Sequence, residues 1–187
     1  GAALDIQEDG PLFSFDTRLC GGSNPELMAD SDLIIVTAGI PRKPGMSRSD
    51  VLTTNVRVTD EIVENTLKYA PDAMMLFVSN PVDILTYRAW KKTGWDRSRI
   101  FGQAGVLDST RMASFIAIET GYSALDIDAM VLGGHGDSMV PMMRFTTISG
   151  IPVENFLDQP TLDKIVQRTR SGGAEILALR QNSSAFD

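Results

Sequence analysis

Two short apolar runs, Asp32-Leu-Ile-Ile-Val-Thr-Ala-Gly39 and Ala73-Met-Met-Leu-Phe-Val-Ser79, constrain the fold of this chain more than any other feature. Each is almost continuously apolar, without the polar alternation of a half-exposed strand. Each also stops at turn residues, Gly39 in one case and Asn80-Pro81 in the other. That is the pattern of a buried parallel strand. Between them, Asp50 to Tyr69 places Val51, Val58, Ile62, Val63 and Leu67 at helical spacing and stops before Pro71. Strand, crossover helix, strand makes a βαβ unit with a right-handed connection.

Val82 to Thr93 reads as a helix ending at Gly94, Ile100-Phe-Gly as a short strand, and Leu107 to Glu119 as a helix closed by Gly121. Asp126 to Leu132 reads as one strand running into Gly133-Gly-His-Gly136. Val140 to Ile151 alternates as a hairpin, and Thr161 to about Arg180 forms a long helix with Gly172-Gly173 as a weak point or kink. The expected class is α/β, with a parallel-sheet part to about residue 104 and a mixed α+β part after it. Ligands of open parallel sheets sit beyond the C-terminal strand ends, here Gly39, Asn80 and the segment after Phe101. The Gly-x-Gly-x-x-Gly turn and the acidic residue that complete a dinucleotide site are not in this sequence.

Composition excludes several classes. The 187 residues are 43% apolar and 22% charged, as in a globular domain. Seventeen Lys and Arg against twenty-four Asp and Glu leave a net charge of −7, which argues against a nucleic-acid partner. Cys20 is the only cysteine, so no internal disulfide forms, and a reducing cytoplasm is expected. No apolar run approaches the ~20 residues that cross a bilayer, so no membrane partner is expected. Gly1 at the start and an unfinished element at Asp187 suggest an internal fragment.

Three constellations carry candidate chemistry. His135, the sole histidine, sits between glycines in Gly133-Gly-His-Gly-Asp137 at a strand end, where backbone comes close to a ligand. Imidazole is the side chain suited to proton exchange near neutrality. Asp108 and Arg111 stand three apart near a helix start and share a face. Such spacing often makes only a surface ion pair. In a pocket the two would instead point in different directions, Asp108 to orient a histidine and Arg111 to grip a carboxylate. Ile40-Pro-Arg-Lys-Pro-Gly-Met-Ser-Arg-Ser49 gathers three cations, with Arg42 and Arg48 flanking Pro44-Gly45, in a loop suited to closing on an anion. Together they propose one proton-exchanging His, one supporting Asp and three Arg for a small dianion. No zinc-type cluster, Gly-x-Ser-x-Gly elbow or Walker loop competes, and no metal site is expected.

Four motifs, Val36-Thr-Ala-Gly-Ile-Pro-Arg-Lys-Pro-Gly-Met-Ser-Arg48, Val78-Ser-Asn-Pro-Val-Asp83, Gly102-Gln-Ala-Gly-Val-Leu-Asp-Ser-Thr-Arg111 and Gly133-Gly-His-Gly-Asp137, occur in the order and spacing of one family. The chain resembles the lactate/malate dehydrogenases, and within them the lactate-dehydrogenase-like malate dehydrogenases of bacteria, across essentially its whole length. The resemblance implies an incomplete Rossmann-type parallel sheet in residues 1–104, lacking its first strands and glycine turn. The N-terminal part of an α+β catalytic domain would follow in 105–187. It implies NAD as cofactor and the reversible oxidation of (S)-malate to oxaloacetate. His135 would exchange the hydroxyl proton and Asp108 would support it. Arg111 would bind the carboxylate beside the reacting carbon, and Arg48 would polarise the carbonyl. Arg42 would bind the distal carboxylate, where lactate enzymes typically place Gln. Asn55, Val78, Ser79 and Asn80 would contact NAD, Asn80 would touch substrate as well, and Ser184 would line the pocket. A homodimer or homotetramer is implied, with the helices from Asp50 and Thr161 as interface elements. The alternatives are a lactate or other 2-hydroxy-acid dehydrogenase, or a non-catalytic carboxylate-binding remnant.

Overall fold

The computed structural model describes residues 1–41, 48–136 and 138–180, with the backbone alone at Arg48, Ser49, Leu177 and Arg180. Two short helices, α1 (Ala2–Glu8) and α2 (Gly10–Phe13), precede the first strand, β1 (Leu33–Val36). There follow α3 (Arg48–Tyr69), β2 (Met74–Phe77), α4 (Val82–Thr93) and β3 (Ile100–Gly102). The three strands form a parallel sheet in the order β1-β2-β3, with Leu33 opposite Met74 and Met75 opposite Ile100. The strand and helix expectations for this half hold, with α3 starting two residues earlier than its apolar spacing indicated.

Alternation along the strands decides what is buried. Met75 and Phe77 of β2, with Val36 and Ile100, face α3 and α4 and pack on Val63, Leu85 and Ala89. The opposite face differs from the two-sided burial expected of the apolar runs. Leu33, Ile35, Met74 and Phe101 lie on it, and Ile35 is 56% exposed. Only one layer of helices packs on this sheet among the described residues. Across the outer surface of α3 and α4, Asp60 takes both nitrogens of an Arg88 fork at 2.8 Å, and Glu64 accepts from Lys92 at 2.6 Å. The Arg88 hydrogen bonds hold the Asp60 carboxyl below its ordinary range.

The second half begins with α5 (Gly105–Thr120), which packs antiparallel against the last helix. Between them run β4 (Ile127–Asp128), β5 (Val131–Gly133), β6 (Met139–Pro141), β7 (Thr147–Ile148), β8 (Ile151–Pro152) and then α6 (Gln159–Arg180). Two expectations are corrected here. The single strand over 126–132 is two, β4 pairing with β7 and β5 pairing with β6, because Ala129-Met130 carries the chain from one sheet to the other. The single hairpin over 140–151 is likewise divided. A 3-10 turn at Met143–Phe145 separates β6 from the tight β7-β8 pair. Gly172-Gly173 does not break α6, which runs continuously through both. Met112, Ile116, Val131, Met139, Ile148 and Ile165 form the core. Among the described residues no helix is long and apolar enough to cross a membrane.

Candidate active site

The site is assembled where the first turn of α5 meets the β5-β6 hairpin. Ser109 fixes that meeting, because its hydroxyl accepts the Val131 main-chain N–H at 2.9 Å. The hairpin loop then returns over α5. Gly133 has φ +84°, a left-handed conformation that disfavours any side chain, and a Cβ there would stand 3.0 Å from the Ser138 carbonyl. His135 therefore sits on a backbone that glycine shapes.

Asp108 is the centre of the arrangement, with a side chain only 2% exposed. Its Oδ2 lies 2.9 Å from His135 Nδ1, and its Oδ1 lies 3.4 Å from Arg111 Nη1. This corrects both readings of the Asp108-Arg111 spacing. The pair is neither a solvated surface bridge nor two groups turned apart, since Asp108 spans Arg111 and His135 with its two oxygens. A buried carboxylate needs such partners, because desolvating an unpaired charge costs several kcal/mol. Its place in the first turn of α5 also meets the positive end of the helix dipole.

The hydrogen-bond roles follow from valence. An ionised carboxylate only accepts, so Nδ1 carries the proton and donates to Asp108. In the neutral ring Nε2 is then a bare lone pair, and it has no partner among the described residues. His135 is 22% exposed and Arg111 14%, so both are reachable while held. Arg111 makes one long bond to Asp108, which leaves most of its donors for a ligand. Gly172 of α6 gives it room, because a Cβ there would stand 3.1 Å from Arg111 Cδ. Glu175, also on α6, pairs with Arg168 through two bonds of 2.7 and 3.0 Å. Those bonds hold its carboxyl below the ordinary range and engage it away from Arg111.

The strand ends of the parallel sheet form the neighbouring wall. Asn55 of α3 is 2% exposed, and its side chain is used on main chain. Its Oδ1 accepts from Ile40 N at 2.8 Å, and Nδ2 donates to Ile40 O at 3.2 Å and Asn80 O at 2.8 Å. Ser79 Oγ donates to the Ala38 carbonyl at 2.6 Å. The loops after β1 and β2 are thereby laced together, and Val78 (38% exposed) and Asn80 stand open beside each other. A cleft of about 550 Å³ lies between α4 and β3, lined by Thr86, Tyr87, Trp90 and Arg97, and it borders the site through Asp83, Gly105 and Gly133 although none of Asp108, Arg111 or His135 lines it. No group of three or more His, Cys, Asp or Glu is placed to hold a metal among the described residues.

Arg42, the Arg48 side chain and Ser184 fall outside the described residues. Ser109 and Asp83 were not singled out from sequence as contributors. Both stand within the four family motifs, but a serine or an acid near the start of a helix is too common a signal to mark either.

Residues 1–102 match the model of the lactate/malate dehydrogenase NAD-binding domain, and residues 105–186 match that of the lactate/malate dehydrogenase α/β C-terminal domain. The chain belongs to the lactate/malate dehydrogenase family. Within that family it is 67% identical to a malate dehydrogenase of Thioalkalivibrio sulfidiphilus, over all of this chain and 61% of the relative. It is 64% identical to a malate dehydrogenase of Nitrosococcus oceani, over all of this chain and 60% of the relative. Among solved structures, the apo malate dehydrogenase of Picrophilus torridus superposes with a TM-score of 0.91 at 44% identity, over 98% of this chain and 58% of that one. A Cryptosporidium parvum lactate dehydrogenase complexed with lactic acid and nicotinamide adenine dinucleotide gives 0.87 at 34%, over 98% and 60%. The chain thus spans about three fifths of the length of these family members.

Proposed function

We propose that the full-length gene product is an NAD-dependent malate dehydrogenase that interconverts (S)-malate and oxaloacetate. In this reading residues 1–104 are the C-terminal portion of its nucleotide domain, and residues 105–187 the N-terminal portion of its substrate domain. One observation carries the proposal. A histidine with its Nδ1 bound to a buried carboxylate and its Nε2 open stands in one cluster with a guanidinium that has donors to spare. A 2-hydroxy acid needs that pair, a base for its hydroxyl proton and a cation for the adjoining carboxylate. The 67% and 64% identities to malate dehydrogenases favour malate among such acids.

The residues present suit the nicotinamide end of the cofactor. An exposed apolar Val78 beside an exposed amide, Asn80, offers a ring a flat surface and a carboxamide a partner. Asn55 and Ser79, buried and bonded to main chain, brace that wall from behind. NAD, when bound, supplies the acceptor for the hydride that leaves the malate carbinol carbon.

The chain's own residues do the rest. Arg111 binds the carboxylate next to the reacting carbon through paired N–H donors. His135 Nε2 takes the hydroxyl proton as the carbonyl forms, and returns it in the reverse reaction. Asp108 holds the ring in the accepting tautomer and offsets the positive charge it gains. Arg48, the first residue of α3 rather than part of the loop as read from sequence, stabilises the charge that develops on the oxygen. Arg42 pairs with the distal carboxylate, and Asn80 and Ser184 complete the pocket. The protein acts in the cytoplasm as a homodimer or homotetramer, within the tricarboxylic acid cycle, and uses α3 and α6 as interface elements.

A lactate dehydrogenase is the second reading, favoured by the superposition on lactate dehydrogenases. Arg42 separates the two. Without a counter-charge, a buried guanidinium costs about 3–5 kcal/mol, which oxaloacetate offsets and pyruvate does not. Arg42→Gln should therefore lower the oxaloacetate-to-pyruvate ratio of kcat/KM by about 10²–10⁴. A ratio that does not move would show that selectivity lies elsewhere.

A further inference from the structure

His135 is held by two carboxylates. Asp108 holds the ring, and Asp83 holds the main chain, its Oδ2 accepting the His135 N–H at 3.3 Å. Asp83 lies in the first turn of α4, three residues after Asn80, and so belongs to the parallel-sheet half. Its bond spans 52 residues of sequence into the other half. The loop is shaped to receive it. A Cβ at Gly134 would stand 3.3 Å from Asp83 Oδ2 and 2.6 Å from Ser138 Oγ, so a side chain there would displace Ser138 and crowd Asp83.

We infer that Asp83 is a positioning residue for the proton-exchanging histidine. As an acceptor at a fixed point, it ties the Gly133–Gly136 loop to the turn that carries Asn80. The seat of the cofactor and the base that serves the reaction are thereby set at one spacing. Asp83 acts through the His135 main chain, not through the ring. The inference deepens the malate dehydrogenase reading and rests on it.

Two near-isosteric variants of the full-length gene product separate geometry from charge. Asp83→Asn keeps an acceptor oxygen in place and removes the charge, whereas Asp83→Glu keeps the charge and moves the oxygen by one methylene. Because a displacement of about 1 Å at a reacting group costs up to about 10²-fold, Asp83→Glu should lower kcat for oxaloacetate reduction by about 10–100-fold. Asp83→Asn should stay within about threefold of wild type, and the dissociation constant for NADH should change by less than about twofold in both. A second readout does not depend on turnover. Amide exchange of the segment containing His135 should be at least about fivefold faster in Asp83→Glu and near wild type in Asp83→Asn.

A greater loss in Asp83→Asn overturns the inference in favour of a charge effect, and equal loss in both overturns it because an acceptor held in place would then not be enough. Unchanged turnover and exchange in Asp83→Glu overturns it outright. A wild-type protein without oxaloacetate reduction defeats the malate dehydrogenase reading instead, and the exchange pattern still decides whether Asp83 holds the loop.

Discussion

Replacing Asp108 with Asn in the full-length gene product is expected to lower kcat for malate oxidation by about 10²–10⁴-fold while NADH still binds. The reason lies in how Asp108 divides its two oxygens. Oδ1 faces the Arg111 guanidinium, which can only donate, and Oδ2 faces His135 Nδ1. An amide at this position turns its oxygen to Arg111 and its NH₂ to the imidazole. Nδ1 must then accept, so in the neutral ring the proton sits on Nε2, the atom that has to take the proton from malate. An equivalent Asp→Asn change in a serine-protease triad costs about 10⁴ for the same reason. The offset of the ring's positive charge is lost as well. NADH fluorescence titration and initial rates of NAD reduction check the two halves of the expectation. A loss below about tenfold would mean that the carboxylate does not set the tautomer.

Arg111→Ala is expected to act on a different constant. Removing the guanidinium leaves the substrate carboxylate without its partner, at a cost of about 3–5 kcal/mol, or about 10²–10⁴ in kcat/KM, seen mainly as a raised KM. Arg111→Lys should recover only part of this. An ammonium on a flexible stem replaces neither the planar fork nor its reach past Gly172. Steady-state kinetics over a wide oxaloacetate range separate the two variants, with the Asp108 change in kcat and the Arg111 change in KM. If Arg111→Ala altered kcat alone, Arg111 would be a support for Asp108 and not a substrate ligand.

Much of this arrangement is legible in the residues, because local rules govern it. The apolar runs at 33–36 and 74–77 are short, continuous and bounded by turn residues, which marks them as strands, and Gly94 and Gly121 end their helices in the left-handed conformation. His135 among glycines and Asp108 at a helix start are likewise local patterns. What the sequence did not carry is long-range. Nothing in Asp126 to Leu132 indicates that Ala129-Met130 moves the chain between two sheets, since both parts have the same period. The shared use of Asp108 by Arg111 and His135 depends on a contact across 27 residues, and the Asp83 bond on one across 52. Gly172 looked like a defect in a helix when judged by propensity, but its use is the space it leaves for Arg111. The bare sheet face could not be read from runs whose apolarity is the same whether or not a second layer covers them.

The central claim is that His135 exchanges the substrate proton in an oxaloacetate-selective reaction. The most direct measurement is NADH oxidation by the full-length gene product with oxaloacetate and with pyruvate, in wild type and in His135→Ala, once both are seen to bind NADH. The expected result is a kcat/KM for oxaloacetate at least about 10² above that for pyruvate, and a kcat about 10²–10⁴ lower in His135→Ala. Comparable rates with the two substrates, or turnover that survives the loss of the imidazole, would contradict the claim.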